Sequence, residues 1–467
     1  MRGGPRLTIV GGGSNQWTPK LVADLANTPS LHCAELVLHD ISDANLGRMA
    51  AYVEHVAAVR SIPMTVSTTT DLGAALDGAE FVVVQISTGG FESMTHDLEI
   101  PARYGIPQSV GDTVGPGGIN RTLRNVPVLV AIAAEMERRC PDAWLLNLTN
   151  PMAQLCRAVE RTTSIRCAGV CHETTIISFF LSLLTDVSFL DLDVTAAGVN
   201  HLTFFTAVKA GDVDVLARLR ELLDGESDLD AELPFALPSG GLGMPPRTRS
   251  GPWTKGELLD LNRVKLELFR IWGVLPAAGD RHLVEFFPWF LQDGPELVDR
   301  WGVHLTTVDE RRHHEARFSA ELDAALAADA VTRMPSGETL NGVIDSLRGG
   351  VARNVALNIA NRGQVPDLAD GVCVESVCVV SADGVAPRDI APLPPPVADH
   401  LRRVARSEEL TVEAALAGER DLVVEAMLAD PLASRAGYAA VEAMTDDLLG
   451  ATAPWLPQFA TRPQNEK

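Results

Sequence analysis

The sequence predicts a doubly wound α/β protein whose second half is a mixed α+β part, and three observations predict it. A short β-branched run, Leu7-Thr-Ile-Val10, flows into Gly11-Gly12-Gly13-Ser14 and then into a helical pattern. Continuous apolar strands go on alternating with helices to about residue 170, the pattern of a parallel sheet covered on both faces. After that the alternation loosens, so residues 1–195 are expected to form the parallel-sheet domain and 196–467 the second domain.

Composition bounds the function. With 467 residues, 46% of them hydrophobic, the chain is long enough for two real cores. No apolar run approaches the ~20 residues of a membrane helix, and Met1-Arg2-Gly3-Gly4 leads straight into a strand without a signal-peptide core, so a cytoplasmic location is expected. A formal charge of −22 argues against nucleic acid or an anionic membrane as partner, since either demands a basic patch. An anionic substrate would need a local arginine cluster. The seven cysteines, Cys33, Cys140, Cys156, Cys167, Cys171, Cys373 and Cys378, are scattered in mostly apolar segments, which fits reduced thiols with room for one ligand.

In chain order, the first glycine turn reads either as a cradle for a pyrophosphate, since glycines let the backbone approach and the amides of the following helix favour an anion, or as no more than a glycine-rich turn. The pattern departs from G-x-G-x-x-G, whose third glycine would fall at Gln16. Thr18-Pro19 then opens a helix through Leu21, Val22 and Leu25. The next strand, Glu35 to His39, ends on Asp40, a carboxylate that either accepts both ribose hydroxyls, suiting NAD over NADP, or caps a helix before Ser42.

A helix around Asp71 to Leu76 precedes the buried strand Glu80 to Gln85, which ends in a second glycine turn, Ser87-Thr-Gly89-Gly90. Phe91 to Asn125, rich in Gly and Pro and carrying Gly111 to Gly118, Arg121 and Arg124, reads as a long loop, either functional or disordered. A helix from Val126 to Arg139 leads to the strand from Ala143 that closes on Asn150-Pro151, with Asn150 expected at the same sheet edge as the glycine turns.

Arg166 to Glu173 reads as a short strand ending in Cys171-His172-Glu173 and opening a helix around Ile176 to Leu184. Amide dipoles there would lower the thiol pKa of Cys171, unless it is a buried structural residue. In Thr195 to Phe205, Asn200-His201 interrupts an apolar run, and its imidazole is a metal ligand, a proton carrier or a satisfied core group. Residues 227 to 256 read as a long excursion over the surface or active site, and Leu258 to Ile271 as one amphipathic helix. A polar knot, Pro276 to His282, precedes aromatics up to Phe290; a charged helix covers His304 to Leu326. Arg353 to Gly363 and Gly371 to Val380 are strands, with helices over 394–429 and 434–449.

Together these motifs resemble glycoside hydrolase family 4, the NAD- and divalent-metal-dependent glycosidases. The matching residues run the length of the chain: Ile9 to Ser14 with Thr18-Pro19, Gly89-Gly90, Asp97, Ile100-Pro101, Tyr104-Gly105, Gly115 to Gly118, Asn147 to Pro151, Cys171, Gly198 to His201, Glu285 to Phe290, Asn361 to Gly363 and Val374-Glu375.

The resemblance implies a Rossmann-type domain like that of lactate and malate dehydrogenases, with a C-terminal domain for catalysis and oligomerisation. It implies Cys171 and His201 as ligands of a divalent cation, usually manganese, and Asn150 at substrate and nicotinamide. Gly11, Gly12, Gly13, Ser14, Asp40 and Gly89 would hold NAD, while Asn200, Arg281, His282 and Arg121 would face the substrate. The implied chemistry is oxidation at C3 by NAD+, removal of the acidified C2 proton, loss of the aglycone, addition of water and re-reduction. A homodimer or homotetramer acting on a small glycoside is the family's habit.

Three departures matter. The tyrosine that serves many members as C2 base is not among Tyr52, Tyr104 and Tyr438, so Asp280 becomes the candidate base, with an ion pair or turn role as its alternative. His172 stands where several members carry an acid and is either the general acid or a supporting residue. Ser87 replaces an arginine common in 6-phospho-glycosidases, which favours an unphosphorylated substrate, though Arg121, Arg124 or Arg281 could still take an anion. A 6-phospho-glucosidase of the family and an NAD-dependent dehydrogenase of a hydroxy acid or polyol are the rival readings.

Overall fold

The computed structural model describes residues 4–225, 229–233, 251–291, 300–328 and 337–460. Its strands are β1 (Arg6–Val10), β2 (Glu35–His39), β3 (Thr65–Thr69), β4 (Phe81–Val84), β5 (Trp144–Asn147), β6 (Arg166–Val170), β7 (Asp193–Val199), β8 (Leu202–Ala210), β9 (Val213–Asp214), β10 (Leu275–Pro276), β11 (Arg353–Ala360), β12 (Cys373–Ser381) and β13 (Gly384–Pro387). The helices that position the site are α1 (Trp17–Ala26), α2 (Leu46–Arg60), α3 (Leu72–Leu76), α4 (Gly90–Arg103), α5 (Gly115–Arg139), α6 (Met152–Thr162), α7 (Glu173–Thr185), α8 (Val215–Asp224), α9 (Lys255–Asp260), α10 (Arg263–Trp272) and α11 (Asp280–Phe286).

All strands join one mixed sheet in the order β10-β8-β7-β12-β11-β6-β5-β4-β1-β2-β3, with β13 on β12 and β9 on β8. From β3 to β6 every pairing is parallel, so β3-β2-β1-β4-β5-β6 is the six-stranded dinucleotide-domain order whose switch point lies between β1 and β4. Antiparallel pairing begins at β6 with β11 and continues through β12, β7 and β8. The predicted strands therefore recur with small shifts of their ends, and β3 and the helix α2 are additions to them.

Leu7 and Ile9 pack with Leu21, Val22 and Leu25 of α1 on one side of the sheet. Val82 and Val84 pack with Leu123, Val126 and Leu129 of α5 on the other. Successive side chains of a strand point to opposite faces, so the continuous apolar runs supply both cores. No helix among the described residues is long and apolar enough to cross a membrane.

Phe91 to Asn125 is not a long loop. It forms α4 and the first turns of α5, leaving only 104–114 irregular. Its glycines serve helix starts and close packing. Gly89 takes φ +77° ahead of α4, and a Cβ on Gly118 would fall 2.5 Å from the carbonyl carbon of Thr113.

The expected helix over Leu258 to Ile271 is two helices, because α9 ends at Asp260 and α10 starts afresh with its amides capped from elsewhere in the chain. Likewise 394–429 divides at Gly418, φ +68°, into Pro395–Ala417 and Arg420–Ala429. The polar knot runs from the end of β10 into the first turn of α11. The middle of the expected excursion over 227–256 lies outside the described residues.

Candidate functional site

The parallel strands converge their carboxyl ends on one edge. β1 runs into the first glycine turn, where Gly11 takes φ +88° and an added Cβ would lie 2.3 Å from the carbonyl oxygen of Gln85. Gln85 Nε2 donates to Gly11 O at 3.0 Å and to Thr18 Oγ1 at 2.9 Å, and Thr18 Oγ1 donates to Gly12 O at 2.9 Å. Ser14 Oγ accepts from the amide of Trp17 at 3.1 Å, securing the first turn of α1. Asp40, just beyond β2, accepts the Gly13 amide at 3.0 Å, and a Cβ on Gly13 would press its Oδ2 at 2.9 Å. The bare turn and its half-buried carboxylate fit a pyrophosphate and a ribose.

At the end of β5, the Asn150 backbone carbonyl accepts from Arg121 Nε at 3.0 Å and Asn125 Nδ2 at 3.1 Å, while its side-chain Oδ1 is buried without a partner. Gly89 heads α4 beside Ser93 and Trp455. Arg124 is unavailable to a substrate: it and Asp97 form a fully buried bidentate pair, and its Nε donates to Thr88 O at 2.9 Å.

Asn200 and His201 form the two-residue turn of the β7–β8 hairpin, closed by the pair Val199 and Leu202. His201 takes φ +62°, a left-handed conformation uncommon for a side-chain-bearing residue, and such strain collects at functional positions. Glu375 of β12 anchors the turn. Its Oε2 accepts from Asn200 Nδ2 at 2.9 Å and Asn358 Nδ2 at 3.0 Å, and its Oε1 from Thr174 Oγ1 at 2.9 Å. Register places Glu375 directly opposite Gly198 and Asn358, which brings its buried carboxylate to the hairpin turn.

Asp112, His201 and His282 come together here, each offering a ligand atom within 4.8 Å of the others. Three segments deliver them: the loop 104–114, the hairpin turn and α11. Thr113 Oγ1 lies 2.8 Å from Asp112 Oδ1 and 2.9 Å from His201 Nδ1. With the hydroxyl proton on the carboxylate, the Thr113 oxygen can accept Nδ1–H of His201, an arrangement that would leave Nε2 to bind a cation. His282 Nδ1 is buried without a partner, and burial with the charges of His201 and Arg281 drives its pKa well down, which keeps the ring neutral. Burial opposes ionisation of Asp112, yet Arg311, Arg121 and His201 outweigh it and hold the carboxyl below its usual range. One carboxylate and two imidazole rings make a donor set that fits a borderline divalent ion. The sequence reading names His201 as a ligand, places His282 on the substrate and does not single out Asp112 in its glycine-rich context.

Cys171 lies in a buried cluster with Met152, Cys156 and Cys373, outside that donor group. Contrary to the expected lowering, its thiol is pushed well up, first by burial and then by Glu375 and Glu173. The backbone hydrogen bond from Glu173 is the weaker, opposing influence, so a thiolate there needs a cation beside it.

His172 sits at the N-cap position of α7 with Nδ1 2.9 Å from a Glu338 carboxylate oxygen. Burial alone would lower its pKa, but the hydrogen bond and charge of Glu338, with Glu173, raise it. Arg281 and His282 lie side by side on α11, and Arg121 is buried on α5.

Asp280 departs from the expected base. Its Oδ1 accepts from Lys265 N and Lys265 Nζ, each at 3.1 Å, and its Oδ2 from Val264 N at 2.7 Å. Lys265 and Asp280 are a buried ion pair capping α10, and the carboxylate is committed to structure. The tyrosines supply no substitute: Tyr52 is in the core, and the hydroxyls of Tyr104 and Tyr438 donate to Asp447 and Glu442.

Fold and site define an enzyme with a dinucleotide-type sheet and a divalent-cation donor group at its carboxyl edge. A family 4 glycosyl hydrolase profile matches residues 6–186, and the family 4 glycosyl hydrolase C-terminal domain matches 196–433. The chain is 31% identical over 440 residues to an alpha-galacturonidase of Thermoanaerobacterium saccharolyticum, covering 91% of each. Its structure is similar to that of lplD from Bacillus subtilis, with a TM-score of 0.81 and 27% identity over 96% of this chain and 100% of that one. A 6-phospho-alpha-glucosidase from gut microorganisms, solved with NAD and Mn2+, shares the fold at TM-score 0.80 and 20% identity, covering 97% and 99%. The chain belongs to the family 4 glycosyl hydrolases and is a glycoside hydrolase.

Proposed function

We propose that the protein cleaves a glycoside by an NAD- and divalent-metal-assisted route, and that the sugar is an unphosphorylated α-uronide. The observation that carries the reading is the convergence of Asp112, His201 and His282 at the edge that also bears the Gly11–Ser14 cradle. Asp112, His201 and His282 would hold the metal; Gly11 to Ser14 and Asp40 would hold the dinucleotide. When bound, NAD+ supplies a hydride acceptor and the cation supplies Lewis acidity.

The chain's own groups do the rest. Thr113 fixes the His201 ring, and Glu375 fixes the turn that carries it. Asn150 offers a buried, unpartnered oxygen to a ligand donor. Glu338 engages Nδ1 of His172, which leaves Nε2 as the atom to pass a proton to the departing oxygen. The uronide reading draws on the alpha-galacturonidase relatives and on the arginines around Asp112.

The test is product balance. With NAD+, manganese and a panel of aryl glycosides, aglycone should be released without stoichiometric NADH. Stoichiometric NADH with the glycoside intact would return the protein to the dehydrogenase class.

A further inference from the structure

Three guanidiniums gather around Asp112, from three separate elements. Arg311, on the helix Val308–Ala327, is fixed by donating Nη2–H to Val110 O at 2.7 Å, and its Nε is buried without a hydrogen-bond partner. Arg121 of α5 is held by Asn150 O, and Arg281 belongs to α11 next to His282. Asp112 experiences Arg311 as its strongest cation, with Arg121 next, and Arg281 in turn is influenced first among charges by Arg311 and then by Asp112.

The neighbouring carboxylates are already engaged. Asp97 is paired with Arg124, Glu173 accepts the Gly279 amide at 2.6 Å, and Glu285 accepts the amides of Val110 and Gly111 at 2.8 and 2.9 Å. If Asp112 gives its charge to a divalent cation, Arg311 is left with a buried Nε that has no hydrogen-bond partner, while Glu173 and Glu285 still lend their charge to Arg281. A desolvated guanidinium N–H without an acceptor is costly, so Arg311 calls for an anion from the ligand. Arg281 and Arg311 are half-buried, placed to meet one.

We propose that Arg311, together with Arg281, receives the carboxylate of the sugar and is the residue that selects a uronide over a neutral glycoside. The assignment rests on the glycosidase reading above. A guanidinium fork matches a carboxylate through two parallel N–H donors, and an ammonium cannot reproduce that geometry.

The experiment compares wild type, Arg311→Lys and Arg311→Met, each loaded with NAD+ and Mn2+. Aryl α-galacturonide, α-galactoside and 6-phospho-α-galactoside are the substrates, and titration calorimetry follows galacturonate and galactose binding. The ratio of kcat/KM for galacturonide over galactoside should fall roughly a hundredfold in Arg311→Met, chiefly through KM, with Arg311→Lys between. An unchanged ratio overturns the assignment, as does a loss confined to the phosphorylated sugar. If no glycoside is cleaved by wild type, the glycosidase reading fails separately. Galacturonate binding by wild type and not by Arg311→Met would then still support Arg311, and equal binding would overturn it.

Discussion

The imidazoles of His201 and His282 lie 3.9 Å apart, centroid to centroid, at an interplanar angle of 36°. Two rings this close cannot both carry a proton cheaply, and burial has already driven His282 to neutrality. With Asp112 beside them they are poised for a cation. Asp112→Asn and His282→Ala should each weaken Mn2+ binding at least tenfold by calorimetry, and Thr113→Val, which frees the His201 ring, by about 10- to 100-fold. Cys171→Ser belongs in the same series. Unchanged affinity in the first two variants, with loss in Cys171→Ser, would move the site to the thiol.

A second prediction concerns Arg124 and Asp97, whose side chains are fully buried. Asp97 also accepts from Asn120 Nδ2 at 2.8 Å, so the pair ties α4 to α5 beneath the glycine turn. Asp97→Asn leaves the guanidinium uncompensated and should lower unfolding free energy by about 3–5 kcal/mol in urea titrations. The double variant Asp97→Leu, Arg124→Met should recover much of that loss. A single variant with wild-type stability would contradict the pairing.

These two sites differ in how legible they were. The glycine cradle and Asp40 follow from local rules: a strand, a tight turn and a helix start are adjacent in sequence. Asp112, His282 and Arg311 meet only in space. Asp112 sits among glycines that imitate a loop yet cap and pack helices, His282 lies on a helix too short to show a period, and Arg311 is one charge among many on a polar helix. The sign of the Cys171 shift stays open in the sequence for the same reason: a strand leading into a helix is visible there, whereas the burial that raises the thiol, and then Glu375 from a strand far along the chain, come only with the fold. Family resemblance compensated for part of this by marking His201 and Glu375 as positions that matter.

Stability should fall on mild acidification because of His400. Its ring stacks on Phe287 at 4.4 Å and 22°, and burial lowers its pKa to about 4, against a partial rise from a hydrogen bond with the Phe286 backbone. The unfolded chain, near 6.5, binds more protons than the folded one between those values. This contribution is therefore absent above pH 6.5 and costs stability progressively as pH falls to about 4, reaching about 3 kcal/mol. His400→Phe should flatten that part of a pH-dependent denaturation profile. An unchanged slope would assign the acid sensitivity elsewhere.

The Lys265 and Asp280 pair decides what α11 is for. Lys265 Nζ is fully buried and has Asp280 and Asn262 as partners, at 3.1 and 3.0 Å, so Asp280→Asn should cost about 3–5 kcal/mol by leaving the ammonium uncompensated. The same carboxylate starts α11 two residues before His282, and loosening it should also raise the Mn2+ dissociation constant. Replacing both partners, Lys265→Met with Asp280→Leu, should recover only part of that loss, because it removes the two buried charges yet leaves the Val264 and Lys265 amides without their acceptor. Solvent exchange of the substrate C2 proton then separates structure from chemistry. A stable double variant that still exchanges confirms Asp280 as a cap on α10. One that binds substrate, NAD+ and metal yet exchanges nothing makes Asp280 the base after all.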